Sequence, residues 1–297
     1  NIANFYDDVY IEDDSVIVNS NFLRYNKKTQ ESYAYNNVLI KGKFNNSFLI
    51  SDTLIYIPRK KYSISYGKPV LFQVDSIAND EGIKFNTLSI SSDTMEAFRY
   101  IDNEYYVFTN KVEIIKENIR AKSNLAKYFR TKDLFILTEE PIIWYEKSQL
   151  YGDSITIELN ESKLKRIESV GNAFSVSKNF EQYNKFLNQL SGNTIEMIFL
   201  DGKISKIITT SNARSLYFTE NDNGAIDAHK HDCNKIEMFF EDEKIDKINF
   251  LENVNAVAIP YQDLRLDVKQ YYLPRFKWST EEPHKKNLHY KSNYFKI

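Results

Sequence analysis

Apolar and polar residues alternate strictly in three stretches of the chain. Ile155, Ile157 and Leu159 fall on one side of an extended segment and Thr156 and Glu158 on the other; Ile195, Met197, Phe199 and Ile236, Met238, Phe240 repeat the arrangement. A period of two is the mark of a half-buried strand, with one face apolar and the other meeting water. The phrases that hold these strands, "GDSITIEL", "GNTIEMIF" and "CNKIEMFF", have earlier counterparts in "SDTLIYI", "SDTMEAF" and "KSNLAKYF". Between them recurs a second element, a short polar turn followed by an apolar pair: "YDDVYI", "YNNVLI", "YGKPVLF", "TNKVEI", "EEPIIW", "GNAFSV", "SNARSLYF" and "ENVNAVAI". Its anchors, Val9, Val38, Val70, Val112, Ile142, Ala173, Ala213 and Val254, stand 29 to 42 residues apart. A self-similar period of this size marks a repeat architecture, here about eight strand-turn-strand units supplying two strands each.

Two stretches have helical features. "IIKENIRAKSNLAKYF" (114–129) has helix-forming composition, but it also fits the repeat as strand, turn, strand, and that reading is preferred. "FEQYNKFLNQL" (180–190) spaces Phe180, Tyr183, Leu187 and Leu190 near a helical period inside an apparent insertion, 178–191, as a short helix or a lid-like loop. Half-apolar strands must stack and face one another, so the expected architecture is two twisted sheets across a core. Sixteen or so strands shared between two sheets at about 4.8 Å each would span on the order of 40 Å. Such a body ends in two open sheet edges, ready to pair with another chain.

Composition supports β structure and removes several function classes. Glycine is scarce at 8 residues while Tyr and Phe reach 21 and 20, which favours strands over glycine-rich phosphate loops. Of 297 residues 42% are hydrophobic, enough for a sizeable core. With Lys+Arg 39 against Asp+Glu 41 there is no overall positive charge of the kind that drives binding to nucleic acid. No window approaches the roughly 18 apolar residues of a membrane-spanning helix, and "NIANFYDD" has neither Met nor a signal sequence, so the chain reads as soluble and as a mature or trimmed form. The single cysteine, Cys233, excludes an internal disulfide and leaves the redox compartment open.

The cadence of polar turn, "NV" or "NA", apolar run, then "SD" or "GN" before an alternating strand, closing with "DGKISKI", resembles the OstA-like proteins of lipopolysaccharide transport over roughly residues 4–260. "KYFRTKDLFILTEEPIIWYE", "YNKFLNQLSGNTIEMIF" and "LPRFKWSTEEP" are similar to the longer OstA-like branch in particular. The resemblance implies an all-β fold, an elongated open β-jellyroll or β-taco. It would occupy residues 1–260 as one repeat domain or as two fused family units, about 1–150 and 151–260, followed by a tail, 261–297. It implies a periplasmic bridge whose V-shaped interior shields lipopolysaccharide acyl chains, with other jellyroll proteins and the outer-membrane translocon joined end to end by strand pairing. No cofactor and no enzymatic activity are implied. The groove candidates are Val9, Ile11, Val38, Ile40, Leu54, Tyr56, Val112, Ile114, Ile155, Ile157, Leu159, Ile195, Met197, Phe199, Ile236, Met238 and Phe240. The competing reading is a structural or adhesive β-repeat module in which the same stripe is a closed, dry core. In this family a glycine precedes the "NV" step; it stands here as Gly171 but is replaced by Ser211 and Glu252 in the next repeats, leaving those turn geometries open.

Other chemistry is weaker. "HKHDC" would project His229, His231 and Cys233 on one face of a strand, a soft-metal arrangement if a fourth ligand such as His284 came near, or else a polar loop leading into the next strand. The preferred expectation is no metal. No "GxSxG", "HExxH" or phosphate-binding loop occurs, and the acid pairs Asp13-Asp14, Glu139-Glu140 and Glu281-Glu282 read as solvated turns rather than a glycosidase pair. The tail is expected to be a solvated, partly ordered segment or a cover over a sheet end. Alternation alone leaves open whether Ala173 and Ser175 or Phe174 and Val176 line the interior, and likewise Ser215 and Tyr217 or Leu216 and Phe218.

Overall fold

The computed structural model describes all residues except 13, 15, 45, 80, 81, 101, 102, 179–184, 243 and 285–297, with the backbone alone described in 75–79 and 82–86. In chain order the strands are β1 (Ile2–Glu12), β2 (Val16–Asn26), β3 (Ser32–Gly42), β4 (Ser47–Ile57), β5 (Tyr62–Tyr66), β6 (Val70–Asn79), β7 (Gly82–Ser91), β8 (Thr94–Tyr100), β9 (Asn103–Lys116) and β10 (Ile119–Phe129). They continue as β11 (Leu134–Thr138), β12 (Ile142–Tyr145), β13 (Ser148–Tyr151), β14 (Ser154–Asn160), β15 (Lys163–Lys178), β16 (Leu187–Leu200), β17 (Lys203–Glu220), β18 (Ile226–Glu241), β19 (Lys244–Leu251) and β20 (Asn255–Ile259). The stretch 114–129 is strand, turn, strand, as the repeat requires. In the insertion, Leu187–Leu190 already belong to β16, while 179–184 lie outside the described residues.

The eight polar turns of the repeat are the corners of the fold. Asp7-Asp8, Asn36-Asn37, Gly67-Lys68, Asn110-Lys111, Glu139-Glu140, Gly171-Asn172, Ser211-Asn212 and Glu252-Asn253 all hold two successive residues at positive φ. Two left-handed residues set against one on the neighbouring strand bend the chain sharply, as a bulge does. The register slips accordingly between Tyr6 and Val9, Tyr35 and Val38, Val170 and Ala173, and Thr210 and Ala213. Ser211 and Glu252 therefore adopt the backbone region that Gly171 adopts, despite the Cβ that penalises it.

Between these corners stand the "SN", "SD", "GD", "GN" and "CN" steps. The Asx backbone N–H donates to the carbonyl of the first left-handed residue: Asp93 to Asn110 at 2.9 Å, Asn124 to Glu139 at 2.9 Å, Asp153 to Gly171 at 2.8 Å and Asn234 to Glu252 at 3.0 Å. Where the residue before it is serine or cysteine, it is buried at Ser20, Ser92, Ser123 and Cys233, and its hydroxyl or thiol donates two residues onward, to Phe22 O, Thr94 O, Leu125 O and Lys235 O. Cys233 thus occupies a serine position in a repeated corner.

Because most long strands bend at a corner, one half pairs in each of two leaves. The first leaf runs through β1, β2, β3, β4, β5, β8, β9, β10, β11, β14, β15, β16, β17, β18 and β19, fifteen antiparallel segments in order. The second runs through β1, β2, β3, β4, β6, β7, β9, β10, β12, β13, β15, β16, β17, β18 and β20, also fifteen. This corrects the expected length: a strand that crosses both leaves counts in both, so the stack spans about 70 Å at 4.8 Å per strand rather than 40 Å. Its accessible surface of 17103 Å² exceeds the roughly 13,000 Å² of a compact monomer of this mass, in keeping with an elongated β-jellyroll.

The tail forms a further layer. After β20 a single helical turn α1 (Tyr261–Leu264) and a 3-10 turn (Val268–Tyr271) place Leu264, Val268 and Leu273 in a buried cluster with Phe174, Val176, Leu216, Phe218 and Ile226. Gln149 clamps it, donating to Ser279 O at 2.6 Å and accepting from Ser279 N at 2.9 Å, and Gln189 accepts from Leu273 N at 2.8 Å. The tail therefore covers the outer face of the second leaf rather than a sheet end, anchored there by Leu264, Val268 and Leu273, while most of its other residues up to His284 stay exposed. Lys285 and Lys286 lie outside the described residues.

Candidate functional site

Which residues point between the leaves follows from the register. Ala173 pairs Gly192 and Ser175 pairs Leu190, in line with Ala213, Cys233 and the main core, whereas Phe174, Val176, Leu216 and Phe218 point outward under the tail. Ser215 and Tyr217 are thus the inward pair. The two apolar stripes of this region serve two different interfaces.

Inward residues differ in size along the stack. From β14 onward the first leaf presents Ile155, Ile167, Ile195 and Ile236, all at 0% exposure, with Ile157, Met197, Phe199 and Met238 beside them. These bulky side chains fill the space between leaves. Tyr145 of the second leaf meets Phe199 of the first edge-on at 5.2 Å, and His231 stacks on Phe250 at 3.8 Å. From β2 to β9 the inward positions include Ser32, Ala34, Ser63 and Ala97 instead, and the leaves enclose a cavity of about 460 Å³. Ile11, Ile40, Leu54, Tyr56, Leu71 and Met95 supply its apolar wall. Phe44, 85% exposed, stands at its mouth.

Of the groove candidates, Ile11, Ile40, Leu54 and Tyr56 line this cavity. Val38 is buried at the first corners with Leu23 and Ala34, and Val9 packs on them. Val112, Ile114, Ile155, Ile157, Leu159, Ile195, Met197, Phe199, Ile236 and Met238 belong to the filled core, with Phe240 packed against it. The alternation therefore identified the inward face, while the hollow depends on small residues it did not single out.

The polar rim was also missed. Glu104 accepts from the Tyr106 hydroxyl at 2.8 Å and lies 3.9 Å from Arg99 Nε and 3.6 Å from Arg130 Nη1, all four residues lining the cavity. Burial, reinforced by the Glu104 charge, raises the Tyr106 pKa, so the phenol remains a donor near neutrality. The sequence signal available was the outward end of alternating strands: Arg99 and Glu104 close the β8–β9 hairpin, and Arg130 opens the turn after β10.

His229, His231 and Cys233 do share one strand face, and each is engaged. His229 Nε2 lies 3.0 Å from Thr219 Oγ1, His231 Nδ1 lies 3.2 Å from Ser215 Oγ, and Cys233 bonds its corner. Burial and the neighbouring His229 hold His231 below the usual imidazole range. Among the described residues no group of three or more His, Cys, Asp or Glu comes together as a metal site. The pair Glu139-Glu140 is a corner.

Residues 73–163 match the family described as LptA/(LptD N-terminal domain) LPS transport protein, a segment running from β6 to the start of β15. No curated protein matches the chain. Among solved structures, LptH from Pseudomonas aeruginosa, described as the LptA homologous periplasmic component of the lipopolysaccharide transport device, is similar at 14% identity and a TM-score of 0.38. That likeness covers 48% of this chain and 95% of LptH. The similarity to the lipopolysaccharide-transport family is thus carried by residues 73–163, about a third of the chain.

Proposed function

We propose that this chain is a non-enzymatic periplasmic lipid carrier in lipopolysaccharide transport, and that it shields acyl chains in the hollow between its leaves from Ile11 to Tyr106. The observation that carries the reading is the cavity itself: about 460 Å³, walled by aliphatic and aromatic side chains and open at a mouth flanked by Phe44. Its size falls in the range of ligand pockets, about 300–1,000 Å³. Each methylene withdrawn from water contributes about 0.8 kcal/mol, so an acyl chain gains substantially by entering. The family match over residues 73–163 supports the lipopolysaccharide class. Among the described strands β1 pairs only with β2, and β19 and β20 only with β18, leaving edges suited to strand addition by other jellyroll proteins of the bridge or translocon.

The test is native mass spectrometry of the protein purified from cells that make lipopolysaccharide. Bound lipid is expected on the natural chain and not on Ala34→Phe/Ala97→Phe, which plugs the hollow; thermal melting checks that the plugged variant is folded. A folded natural chain that carries no lipid and gains none on incubation would overturn the reading in favour of a closed structural module, for which the filled half after β14 is the supporting observation.

A further inference from the structure

The far tips of the first leaf change character along the stack. In its second half they are tight turns in which acid and lysine alternate, "NESK" at 160–163 and "LDGK" at 200–203, and Lys163 lies 3.6 Å from Asp201. In its first half they are wider and cationic. Lys27 and Lys28 lie between β2 and β3, and Arg59, Lys60 and Lys61 in the 3-10 turn between β4 and β5. Arg99 is the penultimate residue of β8, and Arg130 and Lys132 lie in the matching 3-10 turn between β10 and β11. These strands are neighbours in the leaf, so the tips form one continuous edge. At two strands per tip the edge from Lys27 to Lys132 extends on the order of 30 Å. Arg59 donates to Lys28 O at 3.3 Å, joining two tips, and Lys132 rests over the Phe129 ring.

Carboxylates are present but fewer. Against these eight cations the same edge carries Glu31, Glu96, Glu104 and Asp133, with Asp102 outside the described residues. Each of the four is already hydrogen-bonded by a tyrosine: Tyr33 to Glu31, Tyr62 to Glu96, Tyr106 to Glu104 and Tyr128 to Asp133. Two guanidiniums, Arg99 and Arg130, stand at the rim of the hollow, and both lie within 4 Å of the Glu104 carboxylate, at 3.9 and 3.6 Å. A guanidinium presents a planar fork of donors that matches phosphate oxygens. The cationic edge runs along the half of the molecule that is hollow, and the charge-balanced tips along the half that is filled.

We propose that this edge is the seat for the phosphate groups of the lipid whose acyl chains enter the hollow, with Arg99 and Arg130 as the contacts nearest the mouth and Arg59, Lys60 and Lys61 as the flanking field. The inference rests on the lipid-carrier reading and adds the chemistry of the head group to it. An apolar hollow beside a cationic rim selects an amphiphile carrying anionic phosphate over a neutral one.

The experiment compares binding of lipid A bearing both phosphates with the same lipid after enzymatic dephosphorylation, using the full chain at fixed ionic strength. The phosphorylated form is expected to bind about tenfold or more tightly, a difference of roughly 1.4 kcal/mol, and Arg99→Gln/Arg130→Gln is expected to erase that preference while still binding the dephosphorylated lipid. Lys163→Gln, at a tip of the filled half, should retain the full preference and serves as the folded control. Equal binding of the two lipids by the natural chain would overturn the phosphate seat while leaving the carrier reading intact. Binding of neither lipid would overturn both. Inorganic phosphate alone is expected to compete weakly; if it binds as tightly as the lipid, and through the same two arginines, the edge is a free-phosphate site and the assignment to a lipid head group fails.

Discussion

The two halves of the stack share a corner motif, an alternation and a pairing scheme, yet one is hollow and the other is filled. Between β2 and β8 one inward row runs Ser32, Tyr56, Ser63 and Ala97. Between β14 and β18 the same row carries Ile157, Ile167, Met197, Ile207 and Met238, beside a row in which Ile155, Ile195 and Ile236 alternate with Ser169 and Thr209. Backbone geometry sets the separation of the leaves, so the side-chain volume at alternate positions decides whether that space becomes a cavity or a core. The outer faces differ too: the tail covers the second leaf of the filled half, while the tips of the hollow half are cationic. One half is packed throughout, and the other leaves the room that the proposed lipid would occupy.

The comparison is broken most directly by truncating equivalent inward residues. Ile195→Ala in the filled half is expected to cost about 2–5 kcal/mol in a urea denaturation series, because the void it leaves has no prior opening. Leu54→Ala already borders a cavity and should fall at or below about 2 kcal/mol. Equal losses would mean that the hollow half is packed in solution.

The covering tail gives the next largest effect. Leu273→Ala removes a buried contact to the outward stripe and is expected to destabilise by about 2–4 kcal/mol and to increase binding of a hydrophobic dye. An unchanged midpoint with no added dye binding would show that the tail does not cover Phe174 and Leu216.

Corner substitutions should be smaller and opposite in sign. Ser211→Gly relieves a residue at φ 61° and is expected to stabilise by about 1 kcal/mol. Gly171→Ala, at φ +74° with its new Cβ set against the Asp153 carboxylate, should destabilise by about 1–2 kcal/mol. Thermal melting reads both, and a loss of stability in Ser211→Gly would contradict the common corner geometry.

The smallest effect is a pH dependence confined to the filled half. His231, buried against Phe250, has its pKa lowered from 6.5, so protonation favours the unfolded chain. Its contribution is fully present above about pH 6.5 and is lost as pH falls through the lowered folded value. His231→Phe should flatten that part of the stability profile, and an unaltered slope would assign it to another group.

The fold was legible because each corner is written locally. Two residues such as Asn36-Asn37 or Gly171-Asn172 tolerate left-handed backbone, and a Ser-Asp or Gly-Asn step answers them one strand away. What could not be read was non-local. A strand that bends through both leaves looks like one strand, which halved the expected length. Alternation places Leu216 and Phe218 opposite Ser215 and Tyr217, but only the returning tail makes the outward pair buried. Of the groove candidates, Ile40 and Leu54 border open space whereas Ile155 and Ile236 do not; the difference lies in what stands across the gap, which periodicity does not record. The rim residues Arg99, Glu104 and Arg130 come together from two hairpins and carry no motif in sequence.

The most direct measurement is photocrosslinking of lipopolysaccharide in cells to a photoreactive residue placed at one inward position at a time. Crosslinks are expected at Leu54 and Ala97, which face the hollow, and not at Ile195 or Ile236, which face a filled core. Crosslinks at Ile195 and Ile236 with none at Leu54 and Ala97 would contradict the assignment of the lipid site to the hollow half.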